Sequence, residues 1–175
     1  SMTLPYWFTK KQNNMRALQT GAPIGNSGAR ASEFPVLRIT NRHVSAQICL
    51  PDTECGYYRG TRFDWSGIVR DLRSRGHRYV SEWQSRHDPL RHDGLTGPAD
   101  EFTQIGYEQA RPGEEFLKIG VGTLRKPYDQ PYDRFRLYEI VDPGIRDLIA
   151  SRDRVEFRHR MLNDHYGYDY RKTLV

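Results

Sequence analysis

Cysteine is scarce in this 175-residue chain: Cys49 and Cys55 are the only two. Two cysteines cannot build a disulfide framework, and without further partners they do not supply the spacing of a structural zinc site. A Cys49–Cys55 bridge would fit across a turn, but two free thiols are expected. Long apolar runs are also missing. None approaches the roughly 18 residues a membrane-spanning helix needs, and the N-terminus lacks the basic and apolar regions of a secretion signal. These absences lead to a cytoplasmic expectation. Helical periodicity is absent as well, apart from a short stretch at 146–151 that reads as a single turn.

Catalytic fingerprints are equally sparse. Gly21, Gly25 and Gly28 do not form a phosphate loop, since no Lys-Ser/Thr follows them. There is no nucleophile elbow and no His-Glu-x-x-His helix. No metal and no cofactor are expected.

The net charge of +5 is unevenly placed. Residues 1–50 hold six of the 27 basic residues and only one of the 22 acidic residues, Glu33, so residues 51–175 carry 21 of each sign. A nucleic-acid binder shows a clustered basic face. Here Arg and Asp interleave, and no nucleic-acid partner is expected.

What is present is aromatic and alternating. Eleven Tyr, seven Phe and three Trp suit β-structure or a polar, aromatic-lined surface. Residues 1–35 are Gly/Ala/Ser-rich and read as a flexible arm. From residue 36 an apolar/polar period of two begins, with a turn at Asn41-Arg42. Further strands are expected at 57–65, 68–73, 77–83, 116–125, 135–141, 155–162 and 166–174, the last two joined by an Asn163-Asp164 turn. Residues 84–114 read as a long polar loop of the kind that carries function. The expectation is an all-β, antiparallel β-sandwich over residues 36–175. The strand ending Lys172-Thr173-Leu174-Val175 has no closing turn. It implies an edge strand, or a sheet completed by a partner such as a second copy.

Two segments carry the candidate chemistry. In GYYRGTRFDWSG (56–67), Arg59, Arg62 and Asp64 could bind hydroxyls, because a guanidinium fork and a carboxylate present complementary donors and acceptors. If the segment is a strand, Arg62 and Asp64 share a face. In RHDPLRHDGLTGPADEF (86–102), His87 and His92 each stand beside a carboxylate that could orient the ring for proton transfer. Glu139 is a candidate inward carboxylate, whereas His159 and His165 are expected to be exposed.

These two segments, with FLKIGVGTLRKP and YEIVDPG, resemble the galactose mutarotase-like (aldose 1-epimerase) superfamily. The resemblance covers about residues 37–174. It implies part of a β-supersandwich with a monosaccharide cleft and acid–base chemistry without a metal. By analogy Arg62 contacts sugar hydroxyls, with Arg59, Asp64 and Trp65 nearby, and His92, His87, Asp93 and Glu101 lie on a cleft-edge loop as acid, base and binding candidates. Chains of this superfamily run to about twice this length and draw their main catalytic residues from the second half. The expectation is therefore a carbohydrate-binding, mutarotase-like protein with an incomplete catalytic site. The alternative is a non-catalytic carbohydrate-binding or protein-interaction module.

Overall fold

The computed structural model describes residues 34–175; the expected arm falls almost wholly outside them. Two residues assigned to that arm belong to the body. Phe34 is buried edge-on against Tyr57, and the Pro35 carbonyl accepts the Leu50 N–H.

Ten strands form three antiparallel sheets, with no α-helix among the described residues. The first sheet joins β1 (Val36–Thr40), β2 (Val44–Cys49), β3 (Ile68–Ser74) and β4 (His77–Val80) in chain order. The second joins β5 (Glu115–Lys118), β6 (Gly122–Arg125) and β7 (Glu139–Asp142). The third places β9 (Val155–Leu162) between β8 (Ile145–Ala150) and β10 (Gly167–Leu174). Period-two patterning makes the sandwich. Ile39, Ala46 and Ile48 of the first sheet share one core with Val155 and Phe157 of β9. A second core, richer in rings, gathers Tyr57, Tyr58, Trp65, Tyr107, Phe116, Leu124 and Tyr138 under the second sheet.

Both expected hairpin turns form, and for the same local reason. The Asn41 side-chain oxygen accepts the His43 and Val44 amides, and the Asn163 oxygen accepts those of His165 and Tyr166. Asn thus caps its own turn.

Several expectations of secondary structure change. Residues 116–125 are two strands, because Gly120 and Gly122 adopt φ of +79° and +139° and reverse the chain. Residues 57–65 are an irregular loop. The Tyr58 hydroxyl accepts the Arg62 and Phe63 amides, and the Trp65 indole donates to the Gly60 carbonyl, so the rings organise a coil around themselves. The stretch read as a helical turn is strand β8, its side chains alternating outward and inward on β9. The strand expected at 135–141 begins only at Glu139, and Glu139 is exposed and paired with Arg125.

Candidate functional site

The long loop expected at 84–114 is pinned to the 56–67 coil. Arg59 N–H donates to the Pro89 carbonyl and Asp64 N–H to the Asp100 carbonyl. Further on, Ile105 and Leu117 exchange backbone hydrogen bonds at 2.8 and 2.9 Å. These bonds hold residues 101–104 opposite residues 131–135, and the space between them is a groove of about 660 Å³. That volume lies within the range of small-ligand pockets.

Glu101 lines this groove and holds Arg62, which stands outside the lining. Arg62 Nε lies 3.0 Å from Glu101 Oε2, and the guanidinium sits 4.6 and 4.8 Å from the Phe63 and Phe135 rings. The other Glu101 oxygen lies 3.4 Å from Arg134. Phe135 is 64% exposed and also borders a second groove of about 300 Å³, lined in part by His92 and Asp93. His92 is held by its neighbours. The Tyr58 hydroxyl lies 2.8 Å from Nδ1, and burial holds the ring below the usual histidine range, with the Phe135 and Arg136 carbonyls partly opposing that shift. That shift favours the neutral imidazole, and the Tyr58 hydroxyl, whose oxygen already accepts the Arg62 and Phe63 amides, has its own proton to donate to Nδ1.

The other sequence candidates are elsewhere. Asp64 and Arg62 do not form a pair, because the segment is not a strand. The Asp64 carboxylate is fully buried, accepting the Ser66 amide at 2.9 Å and the Tyr170 hydroxyl at 3.1 Å, with Lys172 Nζ 3.5 Å away. Burial pushes its pKa up, and these donors partly offset the push. Any side chain at 120 would collide with this carboxylate, so Gly120 is required both for its φ and for the close approach. Trp65 is 2% exposed and lies under the Arg146 guanidinium, 4.7 Å from ring centre to carbon. His87 stacks on Tyr57 at 3.8 Å, abuts Phe34 and bonds the Tyr57 carbonyl through Nε2. Arg59 lies outside both grooves, its Nε buried without a partner. These four are interior or second-layer groups. Glu101, His92 and Asp93 line the grooves, and Arg62 reaches them only through its contacts with Glu101 and Phe135.

Sequence reasoning missed Lys118, Tyr132, Arg134 and Phe135. Lys118 is 1% exposed yet lines the larger groove, donating to the Phe102 carbonyl, with Nζ 5.2 Å from the Tyr132 ring centre. Burial lowers its pKa, and burial raises that of Tyr132 to about 12. One signal was available for Lys118: a single cation inside the apolar run FLKIGV. His159 is also a correction. It is 1% exposed on the inward face of β9, with Nε2 2.9 Å from the Pro143 carbonyl and Nδ1 3.1 Å from the Tyr168 hydroxyl.

Both thiols are free, Cys49 buried and Cys55 exposed. Among the described residues, no three His, Cys, Asp or Glu side chains cluster as a metal site would require, and no helix is long and apolar enough to cross a membrane. No protein-family model, curated protein or solved structure matches the chain significantly.

Proposed function

We propose that this chain is a mutarotase-like carbohydrate-binding protein that holds a monosaccharide in the groove between residues 101–104 and 131–135 without turning it over. The observation that carries this reading is the exposed Phe135 ring beside the Arg62–Glu101 pair. The apolar face of a pyranose stacks on such a ring, and adjacent hydroxyls match a guanidinium fork and a carboxylate. Thr103 and Gln104 add further polar groups to the same groove.

The acid–base side is less well provided. A ring-opening acid must present a proton to the sugar. Here the neutral His92 ring is engaged by Tyr58 and faced by backbone carbonyls. Glu101 is held by two arginines, Arg62 and Arg134, which fixes its position as a hydrogen-bond acceptor. These features favour binding over catalysis. The homodimer expectation belongs to the same reading: among the described residues β8 and β10 stand at unpaired edges of their sheet, and a solution mass of twice 20.5 kDa would support it.

The test is calorimetric titration of the full chain with a panel of aldoses and their acidic derivatives, followed by polarimetry. Binding is expected to weaken about tenfold or more in Phe135→Ala, where one stacking partner is lost. Anomer interconversion is expected to stay at the uncatalysed rate. A panel with no binder, or equal binding by Phe135→Ala, overturns the binding site. Accelerated mutarotation overturns the non-catalytic reading.

A further inference from the structure

Lys118 differs from the other lysines of the body in one respect. Lys126 has Asp129 at 3.8 Å, and Lys172 has Asp64 at 3.5 Å and Asp100 at 2.7 Å. Lys118 has no carboxylate within ion-pair distance among the described residues, although it is 1% exposed. Burying an ammonium without a counter-charge is costly. Its protein contacts are the Phe102 carbonyl and the Tyr132 ring face, neither of which carries a charge.

The surroundings add to the imbalance. Arg62 and Arg134 share the single carboxylate of Glu101. Arg134 is 56% exposed on the groove lip, so most of its donor fork is open. Asp133 also lines the groove, but its Oδ1 is occupied in accepting the Phe135 amide. With Arg62, outside the lining, paired to Glu101, the two cations of the groove, Lys118 and Arg134, are left with Asp133. Tyr132 belongs to the same groove lining, and its hydroxyl is out of contact with solvent and has no hydrogen-bond partner among the described residues. A cluster with surplus positive charge and unused donors, in a cleft large enough for a hexose, suits an oxyanion.

We propose that the groove selects acidic monosaccharides, with the anionic group of a sugar carboxylate or sugar phosphate seated between Lys118 and Arg134. This rests on the carbohydrate reading above and names the class of sugar. The arriving oxyanion supplies the counter-charge that Lys118 lacks and accepts from the open Arg134 fork. Glu101 then remains free to keep Arg62 aligned against Phe135.

The experiment is calorimetric titration of the full chain with glucose, glucuronate, glucose 6-phosphate and inorganic phosphate, at about 50 and about 300 mM salt. At least one acidic sugar is expected to bind about tenfold or more tighter than glucose, and to lose that margin at the higher salt. Arg134→Gln, at an exposed position, is expected to remove most of the preference, the affinity for the acidic sugar falling toward that for glucose. Lys118→Met is the second variant, with circular dichroism and a denaturation midpoint reporting its fold. If glucose binds as tightly as both acids, the preference is overturned and the sugar reading survives. If inorganic phosphate alone matches glucose 6-phosphate and glucuronate binds no better than glucose, the site is an anion site and the sugar-acid proposal falls. An unchanged preference in both folded variants also overturns it. No binding by any sugar removes the carbohydrate reading and this inference together. The carboxylate and phosphate arms identify which anion the groove prefers.

Discussion

The histidine most consequential for stability is His159, and its effect is calculable. The ring is buried on the inward face of β9, and burial, reinforced by the nearby Arg146 charge, lowers its pKa from 6.5 to about 3. In the folded chain it stays neutral, accepting from Tyr168 and donating to the Pro143 carbonyl. In the unfolded chain it protonates near its ordinary value. The folded pKa is the lower one, so the unfolded state binds the extra proton and stability falls as pH drops below about 6.5. The slope rises from half of about 1.4 kcal/mol per pH unit at about pH 6.5 toward that full value below it, so about 2.3 kcal/mol is lost between about pH 6.5 and about pH 4.5. Carboxylates and other histidines titrate too, so the contribution is isolated by difference. Urea unfolding of wild type and His159→Gln should be compared at both pH values. Gln keeps a donor and an acceptor but does not titrate. The wild type is expected to lose about 2–3 kcal/mol more than the variant over this interval. Equal losses would show that His159 protonates freely in the native state, and the buried placement of β9 would be refuted.

Two other predictions follow from burial. Asp64→Ala leaves the Ser66 amide, the Tyr170 hydroxyl and Lys172 facing a gap. A loss of about 3–5 kcal/mol in urea unfolding is expected, with Asp64→Asn losing less because it still accepts two of these bonds. An alanine variant within about 0.5 kcal/mol of wild type would contradict the buried network. The thiols should separate by accessibility. Cys49 is buried and pushed up to about 12 mainly by that burial, whereas Cys55 is exposed. A thiol-reactive dye at neutral pH is therefore expected to label one cysteine in the native chain and both in denaturant, with mass spectrometry assigning Cys55 as the native site.

The legible parts of the fold were those specified by neighbours in sequence. The β1–β2 and β9–β10 hairpins follow from alternation plus an Asn that caps its own turn, which needs no knowledge of distant residues. The same rule, applied strictly, also places His159 with Val155, Phe157 and Met161 on the buried face. Expecting it to be exposed gave residue type more weight than period. The 56–67 segment misled for the opposite reason. Its aromatic density suits a strand, but the rings satisfy their polar atoms on nearby backbone, and that closes a coil. Arg62 and Glu101 were each legible as candidates, but their meeting was not. It depends on the loop at 100–105 being stitched to Asp64 and Leu117, bonds between residues far apart in the chain.

That stitching also explains why so specific a segment as 56–67 reaches the larger groove only through the contacts of Arg62 with Glu101 and Phe135. Asp64 is its fulcrum. Its amide holds the Asp100 carbonyl, while its carboxylate takes Tyr170, and Lys172 lies within ion-pair distance. Lys172 also pairs with Asp100, and Tyr170 packs edge-on against Phe102. Two inward residues of β10 thus grip the groove rim from below, one residue before Glu101 and one after it. The rim can move only if this cluster moves, and the cluster is buried and charged, so partial displacement would strand a carboxylate or an ammonium in the interior. The groove is therefore rigid on its 100–102 side, and adjustment to a ligand falls to Phe135 and Arg134 on the exposed opposite lip. Preorganisation of this kind favours selection by charge and shape over induced closure.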